Sequence, residues 1–114
     1  PIQYALAEFM GNEENYMHIG EVYQQKRNLF ISAIEASRFK LKPSKGTYFQ
    51  LLDYSKISKE EDTEIAIRLT KEYKIASIPV SVFYHNPVQN NVLRFCFAKE
   101  YETLLKAGDI IGKI

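Results

Sequence analysis

The sequence has few of the residues with which small proteins bind metals or form covalent cross-links. Its 114 residues include one cysteine, Cys96, two histidines and no tryptophan. A single thiol cannot form an internal disulfide, and there is no Cys and His set of the kind that structural zinc sites use. His18 and His85 are not spaced to act with Cys96 as a base beside a nucleophile. The composition therefore excludes an internally disulfide-stabilised domain and predicts neither a metal site nor histidine-based catalysis.

An excess of charge of either sign is also absent. Fifteen Lys and Arg residues are balanced by 14 Asp and Glu residues, which gives a formal net charge of +1. Such a chain has no strong positive field for a phosphate backbone or an anionic membrane. Its longest apolar runs, such as residues 78–84, contain a proline and are far too short to cross a bilayer. We therefore expect neither nucleic acid nor a membrane as a partner and, without a secretory signal, a cytoplasmic location.

The chain does contain enough apolar material for one folded domain. Hydrophobic residues make up 46% of it and charged residues 25%, as is typical of a compact domain with its own core. The first residue is Pro1, and residues 1–6 have the pattern of a first helical turn that begins with proline. We therefore expect one domain that has been excised from a longer protein.

Apolar residues recur at helical spacing through the first third of the chain. They predict a short helix that ends at Gly11 and a long helix from Glu13 to about Ser37. Residues 1–37 are therefore expected to form a helical lead-in to the rest of the domain.

Residues 38–114 alternate between segments typical of strands and segments typical of helices, and are expected to form a sheet-and-helix layer. Strands are predicted over 39–41, 47–54, 75–82 and 92–97. One helix is predicted from a capping box at Ser58–Glu61 to about Tyr73, and another from about Tyr101. This order predicts an α+β fold in which helices pack on one face of a small, mostly antiparallel sheet.

Arg94 is the most informative residue, because it places a permanent cation within the apolar segment 92–97. Alternation predicts that Leu93 and Phe95 share one face, while Arg94 shares the other with Cys96. In one interpretation the arginine stem covers apolar surface and the head reaches water or a structural carboxylate. In the other, the guanidinium binds an anion, since its planar fork matches a carboxylate bidentately. The spacing leaves both interpretations open.

Three further features each have a structural and a functional interpretation. Gly46 before Tyr48 and Phe49 either forms a tight turn into a core strand or lets the backbone approach a ligand. The bent apolar segment 78–84 either forms a sheet edge or walls a pocket. Cys96 lies in an apolar strand and is expected to be a buried, inert thiol rather than a nucleophile.

Five segments carry a further signal through their order and separations. They are Pro1-Ile2-Gln3, Tyr23-Gln24-Gln25-Lys26-Arg27, Gly46-Thr47-Tyr48-Phe49, Ile78-Pro79-Val80-Ser81-Val82-Phe83-Tyr84 and Leu93-Arg94-Phe95-Cys96-Phe97-Ala98-Lys99. Together they resemble the class I and II aminotransferases, which depend on pyridoxal phosphate. The resemblance spans the whole chain and is closest to the branch of kynurenine and glutamine transaminases and bacterial methionine aminotransferases.

The resemblance implies that the chain is the C-terminal small domain of such an enzyme, where it closes the active site. Arg94 matches the residue that binds the α-carboxylate of the amino-acid substrate. Tyr48, Phe49, Ser81 and Phe83 match positions that wall the substrate pocket. The resemblance also implies that the full-length protein is a homodimer that moves an amino group between an amino acid and a 2-oxo acid.

The same resemblance places the cofactor elsewhere. In the family, the lysine that binds pyridoxal phosphate covalently, the aspartate that pairs with its pyridine nitrogen and the phosphate-binding residues all precede the position of Pro1. Lys45 is rejected as that lysine, because the glycine-and-arginine pattern that binds the phosphate does not follow it. We therefore expect no catalytic residue and no bound cofactor in this chain, which by itself is expected to be inactive.

Two functions of other classes remain as alternatives. The chain is either a free-standing ligand-binding or interaction module without catalysis, or a structural subunit in which Arg94 pairs with a carboxylate such as Asp53. The pairing of Arg94 distinguishes the second alternative from the enzyme hypothesis.

Overall fold

The regular structure alternates helices and strands, as the computed structural model shows for residues 1–86 and 88–114. Within these residues the helices are α1 (Ile2–Met10), α2 (Ile19–Ala33), α3 (Asp62–Tyr73) and α4 (Tyr101–Ile111). The strands are β1 (Lys40–Leu41), β2 (Phe49–Asp53), β3 (Ile78–Pro79) and β4 (Val92–Cys96). Short 3₁₀ turns lie at Glu13–Asn15 and Ser81–Phe83.

The strands form one antiparallel sheet in the order β1-β2-β4-β3. The long strands β2 and β4 are central, and the two-residue strands β1 and β3 lie at the edges. Leu51 of β2 and Ile78 of β3 are the register partners of Arg94, which therefore lies on a central strand with a neighbour on each side. The helices and the antiparallel sheet confirm the predicted α+β fold.

One face of the sheet packs against the helices and forms the core. Leu52 and Leu93 on this face have no exposed surface. They belong to a buried cluster with Phe30 of α2, Ile65 of α3 and Leu104 of α4. Burial of each such side chain stabilises the domain by about 1.5–3 kcal/mol before the entropy of ordering is subtracted. The predicted packing of helices on one face of the sheet follows from this single apolar surface.

A buried glutamine fixes the connection from β1 to β2. Gln50 has no exposed surface, and its side-chain nitrogen donates to the carbonyl oxygens of Lys42 at 2.8 Å and Leu51 at 2.9 Å. Its side-chain oxygen accepts a hydrogen bond from the Ser44 N–H at 3.0 Å. Buried polar groups are stable only when they are bonded in this way. The bonds hold the turn at Gly46, which has a φ of +78°, directly before the aromatic start of β2.

The long N-terminal helix is shorter than its periodicity predicts. Asn12 accepts a hydrogen bond from the Glu14 N–H at 3.2 Å, and this cap begins a 3₁₀ turn instead of the helix. The α-helix begins at Ile19 and ends at Ala33, although Ile34 beyond it is still buried. The apolar pattern therefore continues through residues whose backbone is not α-helical.

The α3 helix also begins later than predicted, because the capping box does not form. The Ser58 hydroxyl instead accepts from the Glu60 N–H at 3.1 Å and donates to the Glu60 carboxylate at 2.6 Å. Among residues 75–82, only Ile78–Pro79 pair as a strand, since proline has no N–H with which to continue the ladder. Between this segment and the strand predicted over 92–97 lies Pro87, which is outside the described residues.

The first helix lies outside the core. All nine residues of α1 are exposed, including the apolar side chains of Ile2, Leu6 and Phe9. None of the helices in the described part of the chain is both long and apolar enough to span a membrane.

Candidate functional site

The open face of the sheet, opposite the helices, carries Arg94. We use this name for the side of β2, β3 and β4 that presents Phe49, Leu51, Ile78, Arg94 and Cys96. Their neighbours Leu52, Leu93 and Phe95 point into the core and are buried. The predicted alternation along β4 is therefore confirmed, and the arginine head projects away from the core.

Two aromatic rings hold the Arg94 guanidinium. Its central carbon lies 4.8 Å from the centre of the Phe49 ring and 5.4 Å from the centre of the Phe83 ring. The negative ring faces attract the cation with about 0.5–2 kcal/mol for each contact. Because a phenylalanine side chain has no oxygen or nitrogen acceptor, these contacts leave the N–H donors of the guanidinium available for a ligand. Phe49 and Phe83 therefore orient the cation without neutralising it.

No carboxylate of residues 1–86 or 88–114 forms an ion pair with Arg94, and none of these residues accepts a hydrogen bond from its side chain. Asp53, the proposed structural partner, accepts a hydrogen bond from the Ser55 N–H at 2.7 Å instead. Partial burial opposes ionisation of Asp53, but the Ser55 bonds and the charge of Lys40 together hold its pKa below the ordinary value. Arg94 therefore does not pair with Asp53, which is the pairing that the structural-subunit alternative named.

The other aromatic residue at this site is Tyr48, which is exposed. Its ring packs edge-on against Phe49, with ring centres 5.5 Å apart and planes at 90°. Its backbone carbonyl accepts a hydrogen bond from the Phe97 N–H at 3.0 Å, which extends the pairing of the two strands to the residue before β2 and the residue after β4. The structure thus brings Tyr48, Phe49 and Phe83 together near Arg94.

Ser81 is held by an acidic residue that the sequence analysis did not select. Its hydroxyl donates to Asp62 Oδ1 at 2.6 Å, and its backbone N–H donates to Asp62 Oδ2 at 2.7 Å. Asp62 is only 4% exposed, although it is the first residue of α3. In the sequence, Asp62 is one of several acids near the start of α3, where negative charge suits any helix. Ser81 lies 19 residues further along the chain, so no local sequence pattern indicates its contact with Asp62.

The segment before α3 is fixed by a second set of polar contacts. The Glu60 carboxylate accepts hydrogen bonds from the Arg68 guanidinium, the shortest at 2.7 Å. These bonds, and then the one from Ser58, hold the pKa of Glu60 below its ordinary value. The Tyr54 hydroxyl donates to the Glu60 carbonyl oxygen at 2.9 Å. Burial, followed by the negative charge of Asp62, raises the pKa of Tyr54 to about 12, so the phenol stays neutral.

Cys96 and Lys45 lie where they contact little. Cys96 is exposed on the open face, so the expectation of a buried thiol was wrong. The apolar composition of the strand favours burial, but the alternation along β4 places Cys96 on the same face as Arg94. Lys45 is exposed in the turn before β2.

A cavity of about 450 Å³ adjoins Arg94, between β4, α4 and the segment from Lys74 to Ile78. Lys99 and Lys106 also line it, but none of its described lining residues is Asp or Glu. The family resemblance implies an aspartate beside the pyridine nitrogen of pyridoxal phosphate as well as a lysine for its aldehyde carbon. The residues that line this cavity do not supply that combination. Among the described residues, no cluster of three or more His, Cys, Asp and Glu residues is placed to hold a metal ion either.

Comparisons with a family model and with curated proteins point to one protein family. The family model described as aminotransferase class I and II matches residues 1–109. The methionine aminotransferase of Escherichia coli is 42% identical over 115 residues, which cover the whole of this chain and 30% of the relative. The kynurenine–oxoglutarate transaminase of Dictyostelium discoideum is 29% identical over 121 residues, which cover 90% of this chain and 28% of the relative.

Solved structures give the same result for the fold. The crystal structure of an Escherichia coli protein with an identified methionine aminotransferase function superposes with a TM-score of 0.91 and 40% sequence identity. The match covers 98% of this chain and 30% of that protein. The chain thus spans about 30% of the length of these relatives. Because the family model matches residues 1–109, the chain belongs to the class I and II aminotransferase family.

Proposed function

We propose that the full-length protein is a pyridoxal-phosphate-dependent aminotransferase, which moves an amino group between an amino acid and a 2-oxo acid. Residues 1–114 form its C-terminal small domain in this proposal. Support comes from the family match over residues 1–109 and from relatives that are named as methionine and kynurenine transaminases. The cofactor domain and the second subunit of a homodimer are proposed to lie outside this chain.

Arg94 is the proposed binding residue for the substrate α-carboxylate. The observation that carries this role is that Arg94, partly buried on the open face, has two aromatic rings beside its guanidinium and no carboxylate partner among the described residues. A free fork of N–H donors accepts a carboxylate through two parallel hydrogen bonds. Partial desolvation by Phe49 and Phe83 strengthens that contact relative to one in water.

The aromatic residues around Arg94 have a second proposed role. Tyr48, Phe49 and Phe83 supply apolar surface beside the carboxylate site, and Ser81 holds the turn that carries Phe83. Such a wall excludes water and favours an amino acid with an apolar side chain. When bound, pyridoxal phosphate supplies the electron sink of the reaction, while the residues of this chain bind and orient the substrate as the small domain closes.

The role of Arg94 is tested in the full-length enzyme with the substitutions Arg94→Ala and Arg94→Lys. Removal of one partner of a desolvated charge pair costs about 2–5 kcal/mol, so kcat/KM for methionine is expected to fall by roughly 30-fold or more in Arg94→Ala. Arg94→Lys keeps the positive charge but lacks the planar set of N–H donors that binds a carboxylate bidentately. Its kcat/KM is expected to lie between those of Arg94→Ala and the unchanged enzyme. An unchanged kcat/KM in both variants would contradict the proposed role.

Cofactor binding is tested by adding pyridoxal phosphate to the full-length protein and, separately, to the 114-residue chain. The visible absorbance band of bound cofactor is expected only with the full-length protein, and amino acid is expected to change it. An amino-acid-sensitive band with the short chain would require that Lys45 be reconsidered. No binding by either protein would overturn the proposed activity.

A further inference from the structure

The carboxylate of Asp62 joins the start of α3 to the 3₁₀ turn Ser81–Phe83. One oxygen accepts the Ser81 hydroxyl at 2.6 Å, and the other accepts the Ser81 N–H at 2.7 Å. Both bonds go to one residue, so they fix its backbone and its side chain together. Asp62 is 4% exposed, and a carboxylate so far from water is stable only with such bonds.

Phe83 is the third residue of the turn that Asp62 holds. Its N–H donates to the Val80 carbonyl oxygen at 3.2 Å, which closes the turn. Phe83 is 64% exposed, and the centre of its ring lies 5.4 Å from the Arg94 guanidinium carbon. Because so much of the residue is exposed, the backbone of the turn determines where the ring lies.

We propose that Asp62 is a positioning residue for substrate binding, because it holds, through Ser81, the turn that keeps Phe83 over the Arg94 guanidinium. This inference rests on the proposed function of Arg94. Without Asp62, the turn relaxes and the guanidinium loses one of its two aromatic contacts. The Arg94 guanidinium then samples more orientations, and binding of the substrate carboxylate weakens.

The test uses the full-length enzyme with Asp62→Asn, which keeps the size of the side chain but replaces one accepting oxygen with a donor. Two substrates are compared in single-turnover reactions: methionine, and 3-(methylthio)propylamine, which has the same side chain without the carboxylate. The apparent affinity for methionine is expected to fall on the order of five- to tenfold. The rate constant at saturating methionine and the reaction with the amine are expected to stay within about twofold, because the carboxylate contact alone is weakened.

Three further variants separate positioning from a general effect on folding. Glu64→Gln removes an exposed charge from the same helical turn and is expected to behave as the unchanged enzyme. Ser81→Ala keeps the backbone bond to Asp62 and is expected to show a smaller loss than Asp62→Asn; it also serves if Asp62→Asn does not fold. In a Phe83→Leu background, Asp62→Asn is expected to add almost nothing, since both changes act on one contact.

Equal losses with methionine and the amine in Asp62→Asn would overturn the inference, as would full additivity with Phe83→Leu. The Arg94→Ala variant identifies which proposal has failed. If Arg94→Ala affects both substrates equally, the proposed function of Arg94 is wrong. If Arg94→Ala is selective for methionine and neither Asp62→Asn nor Ser81→Ala is, only the role of Asp62 is wrong.

Discussion

The two faces of strand β4 meet different physical demands. On one face, Leu93 and Phe95 are buried under the helices and contribute packing. On the open face, Arg94 lies beside two aromatic rings, and Cys96 is exposed. The first face is complementary to groups within the domain, whereas the second leaves a cation available to a ligand. One five-residue strand therefore contributes both to stability and to the proposed recognition of substrate.

The largest expected effect tests whether stability is concentrated on the covered face. In the 114-residue chain, Leu93→Ala is expected to lower the free energy of unfolding by about 2–5 kcal/mol, because it leaves a cavity in the core. Urea unfolding measures this change. The matched control, Cys96→Ala on the open face of the same strand, is expected to change it by less than about 0.5 kcal/mol. Similar losses in both variants would contradict the difference between the faces.

A second test concerns the helices that cover the sheet. A Cβ atom at Gly108 of α4 would lie 2.5 Å from the Ala33 Cβ at the end of α2, whereas one at Gly20 would meet nothing within 4 Å. Gly108→Ala is therefore expected to lower the free energy of unfolding by about 1–3 kcal/mol through overpacking. Gly20→Ala is expected to raise it by about 0.4–1 kcal/mol, because alanine restricts the unfolded chain. Urea unfolding checks both, and a gain in Gly108→Ala would show that the two helices do not pack this closely.

The smallest expected effect is a pH dependence from Glu60 and Arg68. Because the pKa of Glu60 is lowered in the folded state, the contribution of the pair is present above the ordinary value of 4.5 and is lost as pH falls through the lower, folded value. The pair is about one-third exposed, so solvent limits its contribution to about 1 kcal/mol or less.

Comparison of urea unfolding at pH 6 and pH 3 measures this contribution. The loss of stability between the two pH values is expected to be smaller in Arg68→Met than in the unchanged chain. An equal loss in both proteins would show that other carboxylates account for the acid sensitivity. The exposed variant Lys71→Met, on the same helix, is the control for the removal of a positive charge.

Regular periodicity predicted most of the fold. The strand over residues 92–97 and the α4 helix were predicted close to their observed bounds, because each has a clear repeat that depends only on neighbouring residues. The beginnings of α2 and α3 were missed. In both places a side chain, Asn12 or Ser58, bonds to a nearby backbone N–H and ends the helical pattern locally.

The candidate site was predictable only in part. The position of a cation within an apolar strand selected Arg94, and the segments shared with the aminotransferase family suggested the aromatic residues around it. Asp62 could not be selected in this way, because its partner Ser81 lies beyond a helix and an edge strand. An acid at the start of a helix is too common a feature to identify a function by itself.

By itself, the sequence determined the α+β class, the alternation along β4 and the family, because these depend on local repeats and on the order of short segments. The tertiary structure alone decided that Phe49 and Phe83 both contact Arg94 and that Asp62 binds Ser81. These contacts join segments that are distant along the chain. They depend on the path that the whole backbone takes around the core, which no local pattern encodes.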